Sequence, residues 1–227
     1  MIECGTPFGQ YTTMTKHKRR QFIHGLAAGA AGGMMGWVQR ALAADAKSLP
    51  QGIVEVKGEV TVNGKPAAKG VIVAAGNVVE TGKDARVVFV IGDNAFLQRQ
   101  NSRVEFGVSI ESFLRVVTGG LLSVFGKGER KLSTMTVAIG IRGTGCYIET
   151  DEKKTYFCLC FGAVDLKPVG GAAFSYATTH HEKPLWIEGG KMTPAGVLNH
   201  ADAEVIMLEA LTGRPSPFPP GKSGRYS

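Results

Sequence analysis

The chain predicts an all-β body closed by a single C-terminal helix, and three features of its 227 residues lead there. Short runs rich in Val, Ile and Phe are separated by Gly, Asn and Asp. Between Val54 and Leu166 no segment sustains the 3.6-residue apolar period of a helix. Turn signals recur about every 8–12 residues, a spacing that fits a sandwich, a barrel or a β-solenoid without choosing among them.

Taken in order, Val54-Glu55-Val56 and Glu59-Val60-Thr61-Val62 alternate apolar with polar, and Asn63-Gly64 is a strong two-residue hairpin signal. Residues 71–73 and 78–80 are the next extended runs. Residues 87–91 are continuously apolar and end at Gly92-Asp93-Asn94, which predicts a strand buried on both faces. Residues 95–98, 104–106, 113–117 and 121–125 continue the series, whereas 126–131 (Gly-Lys-Gly-Glu-Arg-Lys) reads as a solvated loop. Residues 145–150, an Asp151-Glu152-Lys153-Lys154 turn and residues 155–160 form a hairpin pattern. The helix comes late: Asn199 is placed to cap it, with Asp202 at the third position. Val205, Leu208 and Leu211 give the apolar stripe, and Gly213 stands beyond the end. That stripe is expected to dock on the β body and to carry no chemistry.

Ahead of the body lies a different kind of segment. Arg19-Arg20-Gln21-Phe22-Ile23 opens an uncharged Gly/Ala-rich stretch that ends in Ala41-Leu42-Ala43-Ala44. A basic region, a short apolar region and then small residues at alternate positions describe an export signal. Arg19, Arg20 and Phe22 look like the twin-arginine variety, a receptor-read address that carries folded cargo. Cleavage is expected after Ala43, with Ala41 as the other small residue of the site and Ala46 as an alternative cut. The competing reading is a retained anchor, since nineteen uncharged residues separate Arg20 from Arg40. Five of those are glycine and one is His24, so the run is weakly apolar. The resulting organisation is an export signal over 1–44 and a linker over 45–54. A β domain over 55–167 and a β extension with helix over 168–213 follow, then a Pro-rich tail over 214–227 expected to be disordered.

Removing residues 1–44 leaves 183, enough for one ordinary domain. The formal charge of +7 falls to +3 without the leader, and no basic run alternates with aromatics. Nucleic acid is therefore not an expected partner. Residues 140–145 are glycine-rich but lead into a strand, so they offer no helix-terminus phosphate site. No Gly-x-Ser-x-Gly elbow is present and no carboxylate pair can be assigned to one cleft, which points away from an enzyme.

Residues 76–87 (Gly-Asn-Val-Val-Glu-Thr-Gly-Lys-Asp-Ala-Arg-Val) are similar to the "G-x-x-V-x-T-G-x-x-S-R-A" opening of the FecR domain, which the body resembles. Ile91-Gly92-Asp93-Asn94-Ala95 stands where that family has a "D-G-S" hairpin, with Asn94 and Ala95 in place of Gly and Ser. Asn101-Ser102-Arg103-Val104 matches "N-S-R-L", residues 114–121 match the "L-x-x-G-x-L" strand pair, and Ile141-Arg142-Gly143-Thr144-Gly145 matches "V-R-G-T-x". Gly162-Ala163-Val164-Asp165-Leu166 matches the closing "G-x-V-x-V". The resemblance covers roughly residues 55–167. It implies a FecR-like β-solenoid or twisted sheet-rich fold, and an exported module that meets an unknown periplasmic or envelope protein. The segment ahead of the signal, at most eighteen residues, is too short for the family's sigma-holding part, so iron signalling is not expected to follow with the domain. Arg86, Arg103 and Arg142 recur beside small residues. They are expected to pack their stems over neighbouring strands with hydrated heads, a ligand-facing stripe being the alternative.

The remaining chemistry lies in Cys146, Cys158, Cys160 and the tandem His180-His181. Cys158 and Cys160 share one strand face, with Leu159 on the other. A bridge between them is disfavoured, because about 6.5 Å of extended backbone separates their Cα atoms and their Cβ directions run parallel. A four-residue turn places Cys146 opposite Leu159, away from both; a turn changed by one residue would place it opposite one of them. Three states stay open: inert thiols, a disulfide, or a zinc or copper site built from Cys146, Cys158, Cys160, His180 and His181. The leading expectation is a periplasmic, non-enzymatic binding and sensing domain with no cofactor, touching the membrane only through the signal segment. A metal or thiol-redox module is the second, and binding of polysaccharide through Trp186 and Tyr147 is a third.

The export reading is tested by fusing residues 1–44 to a reporter that matures in the cytoplasm. The fusion is expected to reach the periplasm, and the Arg19→Lys, Arg20→Lys pair to hold it inside. A fusion that stays cytosolic with both arginines intact refutes it.

Overall fold

The computed structural model describes residues 49–109 and 111–218. The export signal, including Arg19, Arg20, Phe22, Ala41 and Ala43, lies outside the described residues, as do residues 219–227. Among those described, fourteen strands and one helix occur in chain order. The strands are β1 (Gly52–Lys57), β2 (Val60–Val62), β3 (Lys65–Pro66), β4 (Val78–Thr81), β5 (Arg86–Ile91), β6 (Asn94–Gln98), β7 (Ser102–Ser109), β8 (Ser112–Val124), β9 (Glu129–Ser133), β10 (Val137–Thr150), β11 (Lys154–Pro168), β12 (Phe174–Thr178), β13 (Leu185–Glu188) and β14 (Lys191–Pro194). The helix α1 (Asp202–Leu211) follows. The strands form one twisted open sheet, not closed into a barrel. No helix among the described residues is long and apolar enough to cross a membrane.

Local sequence explains the hairpins. Asn63 and Gly64 both take positive φ (50° and 72°), as a two-residue loop between β2 and β3 requires. Gly92 does the same between β5 and β6, where Ile91 pairs with Asn94. The long strands change partners part-way along. β8 pairs with β7 before Gly119, then with β6 and β10 after it. β11 runs beside β13 up to Phe157 and beside β12 from Gly162. Gly119 (φ 80°) and Gly162 (φ 101°) are the bends, and at each a Cβ would lie 2.1 Å from Ser102 Oγ and 2.5 Å from Thr144 Cγ2 respectively. Only glycine fits both the dihedral and the space.

Folding back at these bends encloses one core and leaves a second buried face. Phe96 stacks on Phe89 at 5.2 Å and meets Phe106 and Phe125 edge-on at 5.3 and 5.8 Å in the first. Val88, Val90, Leu97, Leu122 and Val124 point the other way, under Val205, Leu208 and Leu211 of α1. Strand β5, buried on both faces as its unbroken apolar run predicts, separates the two.

Several elements differ from expectation. Residues 71–73 are not a strand: the Val71 N–H turns back to Ala68, and β2 and β7 occupy both edges of β4. Residues 113–117 and 121–125 belong to one long strand that continues through Gly119 as far as Val124. Part of the supposed loop at 126–131 is strand β9, which pairs with β10. Asn199 does not cap α1. Ala201 holds that position, its N–H donating to Glu204 at 3.2 Å, and Asp202 is the first helical residue. The three recurrent arginines keep exposed heads and carry ion pairs the sequence did not show: Arg86 with Glu55, Arg103 with Glu80 and Glu105, Arg142 with Glu129 and Asp165. Residues 214–218, assigned by sequence to the tail, pack on the body, with Arg214 donating to the Asp93 carbonyl and Phe218 6% exposed.

Phe96→Ala is expected to cost about 3–5 kcal/mol, the range for emptying a large buried ring site. Val108→Ala, at an 83% exposed position, should stay within about 0.5 kcal/mol. Urea melts of both variants against the parent check the pair.

Candidate functional site

Strand alternation decides which thiols meet. Along β11, Tyr156, Cys158 and Cys160 face the layer beneath α1, while Phe157 and Leu159 face the enclosed core. Cys146 pairs directly with Leu159, the register a four-residue turn dictates, and packs with Ile148 and Phe157. It therefore stands on the opposite face from Cys158 and Cys160. All three are free thiols.

Two loops bring imidazoles to the cysteine pair. His181 follows β12 with φ 55°, a left-handed backbone that costs a non-glycine residue energy. Its N–H donates to the Cys160 carbonyl at 3.1 Å, which fixes that turn against β11. His200 comes from the loop before α1. Its Nδ1 donates to the Leu198 carbonyl at 2.6 Å and its ring stacks on Tyr147 at 4.8 Å. The facing atoms are then His181 Nδ1 and His200 Nε2, 3.1 Å apart, with Cys158 Sγ 3.4 Å from His181 Nδ1. One donor atom from each of Cys158, Cys160, His181 and His200 lies within 4.8 Å of all the others.

Asp202 anchors the set. Its carboxylate, 1% exposed, accepts from His181 Nε2 at 3.1 Å and from His180 Nε2 at 2.9 Å. The ring of Phe218 closes over both imidazoles, 4.6 and 5.4 Å away. Cys158 and Cys160 are fully buried, and His181 and His200 nearly so. The Cys160 thiol donates to Cys158 and draws it down against burial, which drives Cys160 upward. Cys146, with no such partner, is pushed up by burial.

Of the sequence-predicted site residues, Cys158, Cys160 and His181 converge, His180 reaches the cluster through Asp202, and Cys146 lies outside it. His200 and Asp202 were missed. The available signal was that every histidine after residue 44 (180, 181 and 200) falls within one short C-terminal stretch. Cys158, His181 and Asp202 have the residue types of a thiol nucleophile relay, and all three are buried.

A groove of about 850 Å³ opens on the neighbouring surface. Lys57, Asp84, Asp151, Lys154 and Trp186 line it, with the Lys154 ammonium 4.9 Å from the indole centroid. Tyr147, also on its wall, is 1% exposed, a core residue rather than an open stacking platform. Its hydroxyl donates to Glu149 at 2.7 Å, and Glu149 also accepts from the Asn199 side chain at 2.7 Å. Groove wall and buried cluster thus share the Tyr147–His200 stack.

No protein-family model matches the chain, and no curated protein matches it. Among solved structures, two crystal structures of a proposed anti-sigma factor from Parabacteroides distasonis ATCC 8503 are similar. One has a TM-score of 0.45 at 7% identity over 60% of this chain and 74% of that one. The other has 0.44 at 9% identity over 59% and 73%. Similarity at this level transfers no residue roles.

Asp202→Ala strips the acceptor from the buried His181 and the partly exposed His180 and is expected to cost about 3–5 kcal/mol. For a domain of this size that corresponds to a fall of roughly 10 °C in melting temperature, read by circular dichroism. A melt within a degree or two of the parent would show that the carboxylate anchors nothing.

Proposed function

We propose that the chain is an exported, non-enzymatic binding and sensing domain of the periplasm, acting through contact with an envelope protein. One observation carries this reading. The reactive groups are sealed beneath α1 and Phe218, whereas the groove beside them is open and lined by exposed charges of both signs. Catalysis needs a nucleophile or acid–base group in reach of substrate, and the cluster is out of reach. Recognition needs exposed groups held on a rigid frame, and β1, β10, β11 and β13 supply such a frame for Lys57, Asp151, Lys154 and Trp186. The leader sequence supports the compartment, and the FecR-like order of motifs supports a partner protein. Mixed charges around one indole suit a polar protein segment, because complementary charges fix register and exclude wrong partners.

A photo-crosslinking residue placed at Lys57 in the exported chain tests this in cells. One protein adduct is expected, and Asp84→Lys with Lys154→Glu should reduce its yield about tenfold by reversing groove charge. No adduct, adducts indifferent to those reversals, or adducts only to glycan would overturn the proposal.

A further inference from the structure

Cys158, Cys160, His181 and His200 have the donor set, the spacing and the supporting hydrogen bonds of a closed metal centre. Two thiols and two imidazoles are a set zinc favours. A tetrahedral zinc with bonds near 2.3 Å to sulfur and 2.0–2.1 Å to nitrogen requires N···N edges of about 3.3 Å and S···N edges of about 3.5 Å. The corresponding distances here are 3.1 and 3.4 Å.

Hydrogen bonding also selects the tautomers such a centre needs. The Leu198 carbonyl can only accept, so His200 carries its proton on Nδ1 and turns the Nε2 lone pair inward. The Asp202 carboxylate likewise draws the His181 proton to Nε2 and leaves the Nδ1 lone pair inward. Two imidazole lone pairs aimed at each other repel unless a proton or a cation lies between them. A carboxylate and a backbone carbonyl behind the ligating rings are the outer partners that orient metal-bound histidines. We propose that these four side chains form a structural zinc site that staples the loops around His181 and His200 to strand β11.

The site stands apart from the groove reading, and either can fail without the other. With four protein ligands and no open position, the metal holds structure and does no chemistry. A chain exported already folded would take up its zinc in the cytoplasm, before the oxidising compartment could act on the thiols.

The test is metal analysis of the full chain purified with reduced thiols, followed by titration with zinc alone and with cobalt(II) as a spectroscopic stand-in. One equivalent is expected, and the cobalt form should show tetrahedral d–d bands with charge transfer from two thiolates. Cys160→Ser and His200→Gln should weaken binding more than about 100-fold, and Asp202→Asn about 10- to 100-fold, as loss of an outer partner does. Cys146→Ser, on the opposite face, should keep the full equivalent. If the ligand variants fail to fold, the cobalt spectrum of the parent chain still counts the thiolates. Metal-free protein that ignores both ions, a Cys158–Cys160 disulfide, stoichiometric copper in place of zinc, or loss of metal in Cys146→Ser would each overturn the assignment.

Discussion

A carboxylate in the interior must be paired, and the pairing of Asp202 with two imidazoles governs how the C-terminal third of this protein sits. Asp202 is the first residue of α1, so its bonds to His180 and His181 tie the helix to the loop after β12. His181, held in turn by the Cys160 carbonyl, ties that loop to the sheet. Without this chain of contacts α1 would keep only its apolar stripe and the Arg99–Glu204 ion pair. A ten-residue helix is marginal alone, and the polar anchor helps hold it where it lies over β6 and β8. An acid in the first helical turn also complements the helix dipole, so the same side chain anchors the helix and stabilises its start.

The sheet needs a C-terminal cover because its long strands bury both faces. β8 and β11 bend at Gly119 and Gly162 and wrap the aromatic core of Phe89, Phe96, Phe106 and Phe125, leaving the reverse side of β5, β6 and β8 apolar as well. An apolar sheet face open to water would invite association. Helix α1 and Phe218 cover it, and the same cover seals the cysteine pair. The burial of Cys158 and a filled second face are therefore one structural fact. Cys146 escapes because its strand neighbour across the hairpin is Leu159, and a single residue of register separates the two outcomes.

What could be foreseen was what depends on local pattern. Apolar alternation and turn chemistry gave most strands, the Asn63-Gly64 hairpin and the turn at 151–154, whereas the placement of Cys146 stayed open because one residue of register reverses it. What could not be foreseen depends on partners distant in the chain. β9 has few apolar residues and is a strand because β10 offers it an edge. Residues 71–73 have the composition of a strand but find β4 already paired on both sides. Asn199 looks like a cap and is instead taken by Glu149, fifty residues away. His200 carries no motif with Cys158, since the link between them is made by the C-terminal segment folding back over the sheet. Arg103 and Arg142 face carboxylates directly across the ladder, a pairing that only strand order reveals.

Continuity between the buried cluster and the open groove follows from Tyr147. Its ring stacks on His200, and its hydroxyl bonds to Glu149, which also holds Asn199 at the groove wall. Arg99, another wall residue, binds the Asn199 carbonyl and Glu204 of α1, both at the helix entry. Any movement of the loop carrying Asn199 and His200 must therefore shift the groove wall and the cluster together, because packed side chains do not deform independently. Rigidity at the cluster is inherited by the groove, which would lower the ordering cost of the binding proposed there. The sealed cluster and the open groove are in this sense two sides of a single loop.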